Sequence, residues 1–73
     1  MTDLLKSQLE SADGWATEVF GGHLTESHTK GFEVFFPDPQ TVLSYVCYLS
    51  REYPGLVVHK HEWSVEVSIP EEQ

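Results

Sequence analysis

The sequence predicts an α+β fold. The expected architecture is a three- to four-stranded, mainly antiparallel sheet with one main helix at about 39–53 packed on one face and a short N-terminal helix beside it. Residues 32–36 and 56–69 show the two-residue period of strands, whereas residues 39–53 repeat with helical period between a capping signal and a proline–glycine stop. At 73 residues there is room for one core, so 1–73 is read as a single α+β domain. Its 40% hydrophobic and 12% aromatic content is sufficient for folding in spite of a formal net charge of −8.

Thr2 can cap a first helix over residues 3–12, in which Leu5, Leu9 and Ala12 recur at spacings of four and three before Asp13-Gly14 stops it. Residues 15–20 fit two descriptions. Trp15, Thr17 and Val19 alternate with Ala16, Glu18 and Phe20, and Gly21-Gly22 favours a strand entering a tight hairpin, with Phe20 opposite His23 and Val19 opposite Leu24. The rival is a helix that continues to Phe20 and is capped by Gly21. Residues 27–31 form another turn candidate, followed by a strand over 32–36 with Phe32, Val34 and Phe36 on one face. Pro37 ends that strand. Asp38 is placed to cap a helix, and Pro39 takes its first position, where a missing N–H costs nothing. Along helix 39–53, Val42, Tyr45, Val46, Leu49 and Tyr53 fall within one arc with Leu43 at its margin, while Ser44, Tyr48 and Arg51 point away. Pro54-Gly55 stops the helix.

From Leu56 to Ile69 one alternation holds. Val57, His59, His61, Trp63, Val65, Val67 and Ile69 share a face against Lys60, Glu62, Ser64, Glu66 and Ser68, with Leu56 and Val58 as apolar exceptions. The stretch is long for a strand, so a bend near 59–62 or two strands are expected, although no Asn-Gly type of turn marks a reversal. Residues 37–55 are long enough for a crossover between parallel strands. The expected core is Phe32, Val34, Phe36, Val42, Tyr45, Val46, Leu49, Trp63, Val65 and Val67.

Twelve Asp and Glu against four Lys and Arg, with a pI near 4.6, repel phosphate backbones and anionic lipid heads and attract basic protein surfaces. Direct nucleic-acid and membrane binding are therefore not expected. Cys47 is the only cysteine, which excludes an internal disulfide and suits the cytoplasm. On the edge of the apolar arc it reads as a small packed hydrophobe rather than an activated thiolate. The amino terminus has acids where a signal peptide has bases and lacks its apolar run, and no run of 18 apolar residues occurs.

No catalytic constellation or cofactor motif is legible, and no enzymatic activity, metal or cofactor is expected. Gly21-Gly22 lacks the spacing of a phosphate loop. Glu62 and Glu66 are about 13 Å apart along an extended strand, without an apolar pocket around them. His59-x-His61 sets two imidazoles about 6.6 Å apart on one strand face, a workable ligand spacing, but a zinc site needs three or four ligands. His23, His28 and Cys47 stand at no recognised spacing from them. A small metal-binding domain using His59 and His61 is one alternative.

What remains is protein binding. Glu33, Glu62 and Glu66 project from one side of the sheet with Ser64 and Ser68 between them, an acidic face with few long side chains to order on binding. Tyr48, on the outer side of the helix, is a candidate interface anchor. The expectation is a small acidic, non-enzymatic module that docks on a basic surface of a larger protein. A special case is a nucleic-acid-binding partner, on which carboxylates stand in for phosphates. In build the chain is similar to small acidic single-domain inhibitors encoded by phages, anti-CRISPR proteins among them; the resemblance is one of size and charge and rests on no motif. Self-association through a sheet edge or the Tyr48 side is the second alternative.

Overall fold

The computed structural model describes residues 2–70. Its elements are α1 (Thr2–Glu18), β1 (His23–His28), β2 (Gly31–Phe35), α2 (Pro39–Glu52), β3 (Val57–Lys60) and β4 (Ser64–Ser68). The strands make one antiparallel sheet in the order β1-β2-β4-β3, and residues of both helices join one face of it in a common core. Strands β2 and β3 run parallel with β4 inserted between them, so α2 is the crossover expected of residues 37–55.

α1 does not stop at Asp13-Gly14. A mid-helix glycine costs about 1 kcal/mol relative to alanine. Ala12 and Ala16, both fully buried, carry the stripe begun by Leu9 across Gly14, and their burial outweighs that cost. Thr2, read as the cap, is already helical; its side chain lies outside the described residues. At the other end the N–H groups of Val19 and Phe20 both donate to the Trp15 carbonyl, and that of Gly22 donates to Ala16 at 2.8 Å. Gly21 makes this exit possible with φ of 74°, a conformation that costs glycine nothing. Residues 15–20 are therefore helix and exit turn rather than a strand, and the pairing of Phe20 with His23 does not form. The first hairpin joins β1 to β2 across Thr29-Lys30, with a bulge between Leu24 and Glu26.

α2 begins as its sequence dictates. Asp38 accepts from the Thr41 N–H at 2.7 Å, and Pro39 follows it. The last turn closes when the Tyr53 N–H donates to the Leu49 carbonyl at 2.8 Å. Tyr45 is the centre of the core: it has no exposed surface, its hydroxyl donates to the Ala12 carbonyl at 2.7 Å, and the rings of Phe20 and Phe36 flank it. Burial, reinforced by Asp13, Tyr48 and Tyr53, pushes its phenol well above the ordinary tyrosine range.

The alternation of residues 56–69 is broken by a reversal. The His61 N–H donates to the Ser64 carbonyl at 2.9 Å around the two-residue turn Glu62-Trp63. A two-residue turn pairs odd-numbered with even-numbered positions, so β3 faces β4 as His59 with Glu66 and Val58 with Val67. Val58, not Val57, therefore accompanies Val65 and Val67 on the core face. Trp63, at the turn, is 46% exposed and leaves the expected core. Val46 is partly buried at its margin, and the other eight expected core residues are buried together with Leu9, Ala12, Ala16 and Leu56. Cys47 is exposed rather than packed.

Candidate functional site

With both helices on one face, no described residue covers the other face of the sheet, and the register decides what stands there. Glu26 pairs with Glu33, Glu33 with Glu66, and Glu66 with His59, so one row crosses all four strands as three carboxylates and an imidazole. The next row holds His28, Gly31, Ser68 and Val57. On the other side of the acidic row, Phe35 lies between His23 and Ser64. All four basic residues stand outside the acidic row: Lys6 lies on α1, Lys30 in the β1–β2 turn and Arg51 on α2, while Lys60 pairs with the core residue Val65. Like charges directly opposite one another in a ladder are unfavourable, and here no Lys or Arg stands among them.

Glu33 is the fixed member of the row. The hydroxyl of Thr25, at the bulge, donates to its Oε1 at 3.3 Å and to its backbone carbonyl at 3.2 Å; the buried Ser64 donates to its Oε2 at 3.4 Å. Glu66 reaches the other way. Its Oε2 is 2.9 Å from His61 Nε2, and both side chains are half exposed. One ligand atom from each of Glu33, His61 and Glu66 lies within 4.8 Å of the other two. Beside them Glu26, His28, Glu33, Glu66 and Ser68 border a shallow hollow of about 120 Å³. Gly31 keeps it open at the strand contact, since a Cβ there would lie 2.6 Å from the Val67 carbonyl oxygen.

Of the residues singled out from the sequence, Glu33 and Glu66 stand side by side, as an acidic sheet face requires. Glu62 is in the β3–β4 turn, exposed but outside the ladder. His59 and His61 flank Glu66, one across the ladder and one by direct contact, instead of lying with Val65 and Val67. Tyr48 is in a different place altogether. Its ring packs on Trp15 at 5.0 Å, on Phe20 at 5.7 Å and on Tyr53 at 6.1 Å, so it is a partly buried seam between α1 and α2 rather than a free anchor. Desolvation and a hydrogen bond with Tyr53 push its phenol up to about 12. The aromatic that does stand on the uncovered face is Phe35, 43% exposed. Its signal was present in the alternation of Phe32-Glu33-Val34-Phe35-Phe36, which sends residues 33 and 35 to the same side. Glu26 carries no such signal in the sequence, because the bulge shifts its phase within β1.

A second hollow, of about 410 Å³, lies between α1 and the first hairpin and is bordered by Lys6, Glu10, Asp13, Ser27 and His28. Burial raises the Asp13 carboxyl there. Its charges are of mixed sign, and it contains none of the site residues expected from the sequence. Among the described residues no helix is long and apolar enough to cross a membrane. Comparison of the chain with family models, curated proteins and solved structures finds no match, so the chemistry of the uncovered face is what bears on function.

Proposed function

We propose that this protein is a small, non-enzymatic binding module that docks through the uncovered face of its sheet on a basic surface of a larger protein. The observation that carries this reading is the row Glu26, Glu33 and Glu66, three carboxylates on adjacent strands. Strand positions set the carboxylates at neighbouring sites before binding, the Thr25 and Ser64 hydroxyls already order Glu33, and a concentrated negative field speeds encounter with a positive one. Phe35 at the border of the row supplies the apolar contact that charge alone lacks. It replaces Tyr48 in that role.

The test is kinetic. The partner is captured from lysate at low salt, and its association with the purified chain is followed as salt is raised. The expected association rate falls steeply with salt, because exposed charges are screened over about 8 Å at physiological ionic strength. Glu33→Lys with Glu66→Lys slows association at least tenfold, Glu62→Lys much less, and Phe35→Ala acts on the dissociation rate. Salt-insensitive binding that ignores Glu33 and Glu66 overturns the reading. Two further outcomes are informative within the same assay: displacement of DNA or RNA from the partner identifies nucleic-acid mimicry of the inhibitor type, and simultaneous binding identifies docking elsewhere. Sedimentation over a hundredfold concentration range tests the self-association alternative.

A further inference from the structure

We propose that Glu33, His61 and Glu66 form a binding site for one divalent first-row transition ion of the Zn²⁺ type. The convergence of three potential ligand atoms within 4.8 Å is the starting point. Two ligands on one tetrahedral ion, each about 2.0–2.1 Å from it, stand roughly 3.4 Å apart, so no gap within the 4.8 Å cluster must close by more than about 1.4 Å. Rotamer adjustment of the half-exposed His61 and Glu66 side chains is enough for that. Glu33 need not move far, because the Thr25 and Ser64 hydroxyls already hold its two oxygens from outside the cluster, the orienting role that outer partners play at metal sites.

Charge points the same way. Glu33 and Glu66 oppose each other in the ladder with no lysine or arginine among them, and His61 contacts only one of the pair. An ion at the centre contacts both carboxylates and the imidazole at once, in place of the single His61–Glu66 contact. The donor set selects the ion. Two carboxylates and an imidazole suit Zn²⁺, Co²⁺ or Mn²⁺, whereas Mg²⁺ and Ca²⁺ prefer all-oxygen shells. With three protein ligands on a surface, the remaining position is filled by water. The site stands whether or not the face docks on a basic partner, and its test involves no partner.

The full chain is titrated calorimetrically with ZnCl₂ and, separately, with MgCl₂; Co²⁺ is used as a visible-absorption probe of coordination. The expected result is saturable one-to-one Zn²⁺ binding, no comparable Mg²⁺ binding, and a Co²⁺ spectrum of low coordination number. His61→Ala and Glu66→Gln should each weaken Zn²⁺ binding at least tenfold, with Glu33→Gln as a third variant should either fail to fold, and metal-free melting confirming the fold of each. Cys47→Ser and His23→Ala should bind as the parent does. Absence of saturable Zn²⁺ binding overturns the proposal, as does binding that survives loss of His61 and Glu66 but disappears with Cys47 or His23.

Discussion

Replacing Glu66 by glutamine should leave the fold as stable as before or make it more stable, the opposite of what most substitutions in a small domain do. The ligand oxygens of Glu33 and Glu66 lie within 4.8 Å. At that separation two like charges repel by about 0.9 kcal/mol in water and about 3.5 kcal/mol at an effective dielectric constant of about 20. The Glu66 side chain is 51% exposed, so the watery limit applies. With screening the repulsion stays within the range of about 0.2–1 kcal/mol typical of cross-strand charge pairs. A glutamine retains an oxygen for the contact with His61 at 2.9 Å, so only the charge-assisted part of that interaction is lost. For a domain of this size the gain is a rise in Tm of roughly 1–8 °C. The assay is thermal unfolding in EDTA at about 0.15 M salt, with Glu62→Gln as the control, since Glu62 lies in the turn and should change nothing. A Tm several degrees below the parent refutes the reasoning. It would make Glu66 a stabilising partner of His61 rather than one of two opposed carboxylates.

Three further outcomes test the fold. Leu49→Ala empties a side-chain volume with no exposed surface and should cost about 2–5 kcal/mol in denaturant unfolding; an unchanged midpoint would mean that α2 presents another face to the sheet. Gly31→Ala places a methyl group 2.6 Å from the Val67 carbonyl oxygen and 3.0 Å from Ser68 Cβ. Because the nearer contact is backbone, β2 and β4 must separate locally, and a loss on the order of 1–3 kcal/mol is expected in the same measurement, whereas parental stability would place Gly31 out of that register. The tyrosines set the alkaline limit. Tyr45 and Tyr48 are both raised in the folded state, so their contribution is present in full below the unfolded tyrosine value of about 10 and is lost as pH climbs from there toward 12. Melting curves against pH should be flat with respect to these groups up to about pH 9 and fall steeply above pH 10, together with the rise in tyrosinate absorbance; ionisation of Tyr45 and Tyr48 near pH 10 without unfolding would contradict it.

Much of the fold was legible because local signals and burial agree. Asp38-Pro39, the Val42, Tyr45 and Leu49 spacing and the Phe32, Val34 and Phe36 alternation each point to the element that forms. The two departures arise where a local signal competes with a distant one. Gly14 is a local breaker, but Tyr45 and the sheet bury Ala12 and Ala16 on either side of it, and that contact is made by residues 30 or so positions away. The alternation of 56–69 is real as a pattern, yet a two-residue turn inverts its phase, and alternation carries no mark of where the chain reverses when the turn is Glu62-Trp63 instead of a glycine pair. Of the two descriptions open for 56–69, one bent strand or two, two strands form. A single alternation carried through the stretch places His59 and His61 with Val65 and Val67, whereas the reversal sets both beside Glu66.

The uncovered face is not what solvent exposure alone would produce. A face that merely had to be wet would be stabilised by opposite charges across its strands, and any of Glu26, Glu33 or Glu66 exchanged for lysine would supply such a pair at no cost to the core. Instead three carboxylates are aligned, one is held by hydroxyls, and an aromatic ring is left in water beside them. Arrangements that lower stability while easy improvements lie one substitution away are the ones expected where a surface binds something. The two readings of that surface then constrain each other. An ion bound by Glu33, His61 and Glu66 cancels the middle of the acidic row and leaves Glu26 alone at its end. If both readings hold, saturating Zn²⁺ should slow association with a basic partner as strongly as Glu33→Gln with Glu66→Gln does, and should have no further effect on that double variant. An unchanged rate with Zn²⁺ bound would separate the two, placing the docking contacts on Phe35 and Glu26 and leaving the ion a structural role.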